Sequence, residues 1–211
     1  MTGFWTLLGP DFAGKSTLLR QLRDERACQV VSYDDWCVAE RFPAIRRLRR
    51  EWVLDVYPRV GQEYSPAAAV AMLRPIVRHL HDQVARAADD VPVVVDSYYY
   101  KLLVKCRLLG LVHERTFAEW RALPQPEGVI YLDLPPEVAW ERARWGSRLN
   151  AFEHYGPVPG WEGFAELQSR MRPAIMEEIA GLPLVMLDAR AGQRTVAAEA
   201  GKVLASTVVA P

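Results

Sequence analysis

The sequence predicts an α/β fold: a five-stranded parallel sheet with helices on both faces, forming a single domain over residues 1–211. Three observations predict it. Five short apolar runs recur along the chain, at 4–8, 29–32, 91–96, 129–134 and 184–188, and helical patterns separate them. The central run, Val93-Val94-Val95, is continuously apolar, as a parallel strand covered on both faces is. A glycine-bearing loop joins the first run directly to a helical stretch.

Phe4-Trp5-Thr6-Leu7-Leu8 is the first strand. Gly9-Pro10-Asp11-Phe12-Ala13-Gly14-Lys15-Ser16-Thr17 follows it and fits G-x-x-x-x-G-K-[ST], the phosphate-binding loop. A chance match is expected in roughly one chain per hundred of this length, given glycine usage near 7%. The strand before and the helix after, with Leu18, Leu19 and Leu22 at helical spacing, make chance a weaker explanation still. Gly9 and Gly14 free the backbone to turn its N–H groups inward as an anion cradle. The helix N-terminus adds positive potential, Lys15 reaches toward β- and γ-phosphates, and Ser16 offers its hydroxyl to Mg²⁺.

Gln29 to Ser32 is the second strand, ending at Tyr33-Asp34-Asp35-Trp36. Carboxyl ends of strands are where open α/β sheets bind ligands. Asp34 and Asp35 there either meet a substrate or Mg²⁺ or cap the next helix. Arg41 to Arg59 reads as a helix whose arginines form a solvated face, with Ile45, Leu48 and Trp52 turned inward. Ser65-Pro66 starts a long helix to about Ala88, kinked at Pro75. His79 and His81 are two apart and face different ways, so they are no metal pair. The third strand, 91–96, ends in Asp96, which either serves the chemistry or caps the following helix. Helices follow at 98–111 and 113–123. After the fourth strand, Pro135-Pro136 opens a helix to about Arg144. Residues 145–160, with three glycines and two prolines, read as a mobile segment flanked by Arg142, Arg144 and Arg148. A helix over 161–180, the fifth strand and a last helix over 194–206 complete the chain.

Composition narrows the classes. Half the residues are apolar and a quarter charged, as in a soluble globular protein. The net charge is zero, which gives no global case for nucleic acid or an anionic membrane as partner. Cys28, Cys37 and Cys106 are few and unpatterned, fitting neither a disulfide framework nor a zinc site, and are expected as reduced thiols in a cytoplasmic protein. No stretch approaches the roughly 20 apolar residues that span a bilayer.

Together these residues resemble the thymidylate kinase branch of the nucleoside and nucleotide kinases, in order along nearly the whole chain. The loop 9–17 is similar to that family's loop, acidic at Asp11. Val129 to Ala139 looks like its fourth strand and turn. Glu141-Arg142-Ala143-Arg144 with Arg148 and Phe152-Glu153 looks like its arginine-bearing lid, here at about 142–160. Leu187-Asp188-Ala189 resembles the stretch that lies against adenine. The resemblance implies strand order 2-3-1-4-5, ATP with Mg²⁺, and a homodimer through helices. It implies phosphoryl transfer from ATP to a small-molecule acceptor, a nucleoside monophosphate or a relative of one. The implied catalytic residues are Lys15, Asp96, Arg142, Arg148 and Asp11. The donor nucleotide would lie on Gly9, Ala13, Gly14, Lys15, Ser16, Thr17, Arg144 and Ala189. The resemblance puts Asp11 and Arg74 at the acceptor; Phe12, Asp34, Trp36, Ser97 and Tyr98 are expected there by position, and the metal on Ser16 and Asp96.

The acceptor half departs from the family. Asp96-Ser97 stands where the family has Asp-Arg. Tyr98-Tyr99-Tyr100-Lys101 and Lys105 replace its thymine-reading group, Ser32 to Trp36 replaces its Arg-Glu-Pro-Gly-Gly stretch, and Phe12 stands where glycine is favoured. A deoxynucleoside-kinase-like enzyme with Asp96 as base, or a kinase of another metabolite, therefore stays open. So does a nucleotide-binding regulator without turnover.

Overall fold

The computed structural model describes residues 3–88 and 91–207. The ends of the expected 1–211 domain, 1–2 and 208–211, lie outside the described residues. Five parallel strands form one sheet: β1 (Phe4–Leu8), β2 (Gln29–Val31), β3 (Val93–Asp96), β4 (Gly128–Asp133) and β5 (Leu184–Asp188). Their spatial order is β2-β3-β1-β4-β5. Phe4 to Leu7 pair with Val93 to Asp96 on one side, and Trp5 to Leu8 with Gly128 to Tyr131 on the other. Because every strand runs the same way, all five carboxyl ends emerge along one edge. That edge carries the phosphate loop, Ser32 to Asp35, Asp96-Ser97 and Ala189.

Strand periodicity divides the core into two layers. Phe4, Leu8, Val93, Val95, Val129 and Tyr131 face one side. They pack on α4 (Arg74–Val84), α5 (Tyr100–Leu108), α6 (Glu114–Arg121) and part of α8 (Trp161–Glu178). Trp5, Leu7, Val94, Ile130 and Leu132 face the other, against α1 (Lys15–Asp24), α7 (Pro136–Arg142) and α9 (Gln193–Thr207).

Two helices differ from expectation. The stretch expected as one helix over Arg41–Arg59 is α2 (Pro43–Glu51), then a wider π-helical turn at Trp52–Val56, then a 3₁₀ turn at Tyr57–Arg59. The widened turn sets Trp52, 1% exposed, into the core with its Nε1 donating to Ala69 O at 2.7 Å. The expected long kinked helix is two helices, α3 (Pro66–Ala71) and α4. Pro75 has no N–H for the carbonyl of Ala71 and its ring collides with it, so the helix restarts with Pro75 in its first turn. Ser65 caps α3, its Oγ accepting from Ala68 N at 3.1 Å.

No helix begins at Asp34 or Asp35: a turn closes there, Cys37 N and Val38 N both donating to Asp34 O. The segment expected as a lid carries a 3₁₀ turn, Ala151–Glu153, fixed by a capping box between Asn150 and Glu153. No helix among the described residues is long and apolar enough to cross a membrane.

Candidate active site

The phosphate loop takes the conformation its glycines permit. Gly9 has φ +144°, and a Cβ there would meet Leu132 O at 2.6 Å, so only glycine fits. Gly14, at φ +95°, caps α1. Phe12 holds φ +62°, left-handed backbone that costs a non-glycine residue about 1–2 kcal/mol. The family's preference for glycine there thus has a conformational reason. Lys15 Nζ curls back to donate to Pro10 O at 2.7 Å and Gly9 O at 3.2 Å. Burial, then the neighbouring Lys101 ammonium, pull its pKa down to about 7 against the opposing charges of Asp11 and Asp96. Arg142 straps the loop to the end of β5: its guanidinium donates to Ala13 O at 3.3 Å and Ala189 O at 2.8 Å.

Asp96 ends β3 beside Leu7, two residues before the loop's first glycine. It is 5% exposed, and each carboxylate oxygen accepts one hydroxyl: Oδ2 from Ser32 at 2.9 Å, Oδ1 from Ser97 at 3.0 Å. Burial, then the charge of Asp34, raise its pKa, and the Lys15 ammonium and the two hydroxyls only partly offset this. Asp34 accepts from Ser16 Oγ at 3.2 Å and pairs with Arg49 at 2.8 Å. Ser16, Asp34 and Asp96 all border one cavity. These hard oxygen donors suit Mg²⁺, which binds through one or two carboxylates and leaves other positions to water and phosphate. Among the described residues no group of three or more His, Cys, Asp or Glu side chains forms a self-contained metal cage.

The cavity floor is charged. Asp11, 8% exposed, pairs with Lys101 at 2.8 Å and Lys105 at 2.9 Å, both on one face of α5. Gln168 of α8 clasps it, Nε2 donating to Asp11 Oδ2 and Oε1 accepting from Asp11 N, each at 3.0 Å. Burial opposes the Asp11 charge, but Lys101, Lys105 and Lys15 outweigh it and hold the carboxyl well below its usual range. Glu153 lies close by, its carboxylate accepting from Asn150 N at 3.0 Å; burial and the Asp11 charge raise its pKa.

The cavity measures about 770 Å³ and runs from the loop to an aromatic wall. Phe152 meets Trp52 edge to face at 4.8 Å between centroids and Tyr57 at 5.1 Å, with Leu73 and Ile76 beside it. A volume of this size with an apolar end and a polar end is that of a small-molecule site.

Most sequence-expected residues converge here. Asp11, Phe12, Ala13, Gly14, Lys15, Ser16, Thr17, Asp34, Asp96, Ser97, Arg142, Arg148 and Ala189 all line the cavity. Gly9 joins through its carbonyl.

Besides Gly9, four expected residues do not line it. Arg74 is exposed and pairs with Glu119. Trp36 packs against the second core layer beneath Arg20 and Arg23, 4.9 and 5.1 Å from its ring. Tyr98 is fully buried among Phe4, Tyr99 and Tyr100, its hydroxyl donating to Pro124 O at 3.3 Å. Its positive φ of 43° turns the chain sharply, sending the ring into the core rather than the cavity. Arg144, also at positive φ, is exposed.

Arg49, Trp52, Tyr33, Lys101 and Lys105 line the cavity and were not assigned to it from sequence. In the structure every residue from Tyr100 to Cys106 is buried, so these two lysines have no water to give their charges to.

No protein-family model matches the chain, and no curated protein does. A solved structure of a deoxyadenosine kinase from M. mycoides, described with dCMP and a flexible dCDP as products, is similar, with TM-score 0.61 and 14% identity. The likeness covers 96% of this chain and 98% of that one. At that identity the likeness bears on the fold alone and does not single out the thymidylate kinase branch.

Proposed function

We propose that this protein is an ATP-dependent small-molecule kinase that phosphorylates a hydroxyl of a nucleoside-like acceptor. The observation that carries the reading is Asp96: a buried carboxylate with raised proton affinity, in the same cavity as the phosphate loop, one strand away from it. It forms no ion pair among the described residues, and its two serine bonds leave each oxygen a free lone pair. An acceptor hydroxyl needs such a base.

An acceptor phosphate would instead need free cations. On that side Arg49 is paired with Asp34, and Arg74 is held by Glu119 away from the cavity. The reading thus departs from the nucleoside monophosphate that the family resemblance implies. The deoxyadenosine kinase likeness supports it at the level of fold.

The triphosphate would lie on the loop amides and the α1 N-terminus, its γ-phosphoryl near Lys15. Arg142, bridging Ala13 and Ala189, would set the donor against the end of β5. The acceptor base would rest on Trp52 and Phe152, with its hydroxyl toward Asp96. A new bond then forms between that oxygen and the γ-phosphorus. The bond to the bridging oxygen breaks, its electron pair leaving with ADP, and the acceptor proton passes to Asp96. Mg²⁺, held by Ser16 with Asp34 or Asp96, would neutralise phosphate charge.

The test offers ATP with nucleosides, nucleoside monophosphates and hydroxylated metabolites in parallel and identifies the products. The expected product is a phosphorylated hydroxyl on a nucleoside. Phosphorylation of monophosphates alone would replace this reading with the nucleotide-kinase one.

A further inference from the structure

Lys101 is an expensive residue to bury. Its side chain is 7% exposed, and lysine is almost never buried this far unless paired. Asp11 does pair with it, yet Asp11 already has Lys105, equally buried, on its other oxygen. Lys15 adds a third ammonium. Lys101 and Lys15 donate to the same atom, Gly9 O, at 3.1 and 3.2 Å. Asp11, held firmly ionised, therefore meets three converging lysines at the root of the phosphate loop, with the Asp96 charge also acting on Lys15. Glu153, the next carboxylate, accepts from a backbone amide and has raised proton affinity. Replacing surplus buried charge with apolar side chains is commonly neutral or stabilising. The surplus is explained if an anion arrives there with the substrate.

We propose that Lys101 is a second phosphoryl-facing cation, which contacts the γ-phosphoryl group of the bound nucleoside triphosphate beside Lys15. The inference rests on the kinase reading above and deepens it. Asp11 and Gly9 O fix the ammonium, so little rearrangement is needed when charge moves onto the transferring group. Lys101 changes no bonds: it keeps its proton while the γ-phosphorus exchanges the bridging oxygen for the acceptor oxygen. Asp11, by this account, is a positioning residue that keeps Lys101 charged. The site takes one ligand class, the terminal phosphoryl of a triphosphate, and a diphosphate leaves it empty.

The experiment compares binding of Mg²⁺ with ADP and of Mg²⁺ with a non-hydrolysable ATP analogue, by calorimetry, in the wild type and Lys101→Met. Asp11 keeps Lys105 in that variant, and a thermal melt checks the fold. Lys101→Gln, which can still donate to Asp11, is the second variant. Loss of a charged hydrogen bond to the γ-phosphoryl should weaken the analogue about tenfold and leave ADP within about twofold. Equal loss for both ligands would make Lys101 a prop for the loop and overturn the proposal, as would no loss for either. The kinase reading fails separately: a wild type that binds the analogue yet phosphorylates no acceptor in the panel would refute it.

Discussion

Replacing Asp96 with asparagine removes a base and little else. The side chains are nearly the same size, and an amide can exchange hydrogen bonds with Ser32 and Ser97, whose hydroxyls now hold the carboxylate at 2.9 and 3.0 Å. The site is 5% exposed and burial disfavours the charge there, so the neutral variant should melt no lower than the wild type. Catalysis is a different matter. General-base assistance is worth about 10²–10⁴ in rate, or roughly 3–5 kcal/mol of barrier. Steady-state kinetics should show kcat falling by that factor. ATP affinity, measured by calorimetry, should stay within about threefold, because the donor phosphates rest on the loop and Lys15. The pH profile supplies a second readout. In the wild type, activity should fall as pH drops through the Asp96 pKa, which burial and Asp34 place above the ordinary carboxylate range. That acid limb should vanish in the variant's residual activity. Unchanged kcat, or a parallel collapse of ATP affinity, would remove Asp96 from the base role.

Two further predictions follow from the same geometry. Lys15, with its pKa lowered to about 7, is largely neutral at pH 8 before nucleotide binds, and a bound triphosphate restores its charge. Calorimetry in buffers of different ionisation enthalpy should record more proton uptake per site at pH 8 than at pH 6; no difference between the two would contradict the lowered value. Phe152→Ala removes a ring packed on Trp52 and Tyr57 and opens the apolar end of the cavity. Its acceptor KM should rise about tenfold or more while the ATP KM holds, since aromatic contacts are each worth about 0.5–1.5 kcal/mol beyond their buried area; a rise in the ATP KM alone would misplace the wall.

The phosphate-loop motif was legible in the sequence because a phosphate cradle has few solutions, although Arg144, expected beside the donor, is exposed outside the cavity. The cradle needs glycines where φ is positive, a lysine at the helix start and a hydroxyl after it, and 9–17 spells these in order. The strands were legible for a related reason. Doubly covered parallel strands are short unbroken apolar runs, and Val93 to Val95 has no other plausible use. The acceptor half was not. Trp36 and Tyr98 are aromatic residues next to strand ends, and composition alone does not say whether such a ring turns to the cavity or the core. A positive φ at Tyr98, a tertiary outcome, decides it. Arg74 opens α4 and is drawn to Glu119 on the surface, a pairing no local sequence pattern announces. Trp52 was expected to turn inward from its arginine-rich stretch, but that it borders the cavity follows only from the widened turn after α2. Lys101 and Lys105 stood where the family's thymine-reading group is replaced, but their shared pairing with Asp11 is visible only in the fold.

The central claim is that one cavity joins a working phosphate loop to an acceptor base. The most direct measurement is acceptor-dependent ADP release over a nucleoside panel, by the wild type and Lys15→Ala side by side with Mg²⁺ and ATP. The account predicts release by the wild type with at least one nucleoside, and release reduced to background in the variant, since Lys15 is the loop's phosphate-facing cation. Release that survives Lys15→Ala, or a wild type that binds ATP and releases no ADP with any nucleoside, would contradict it.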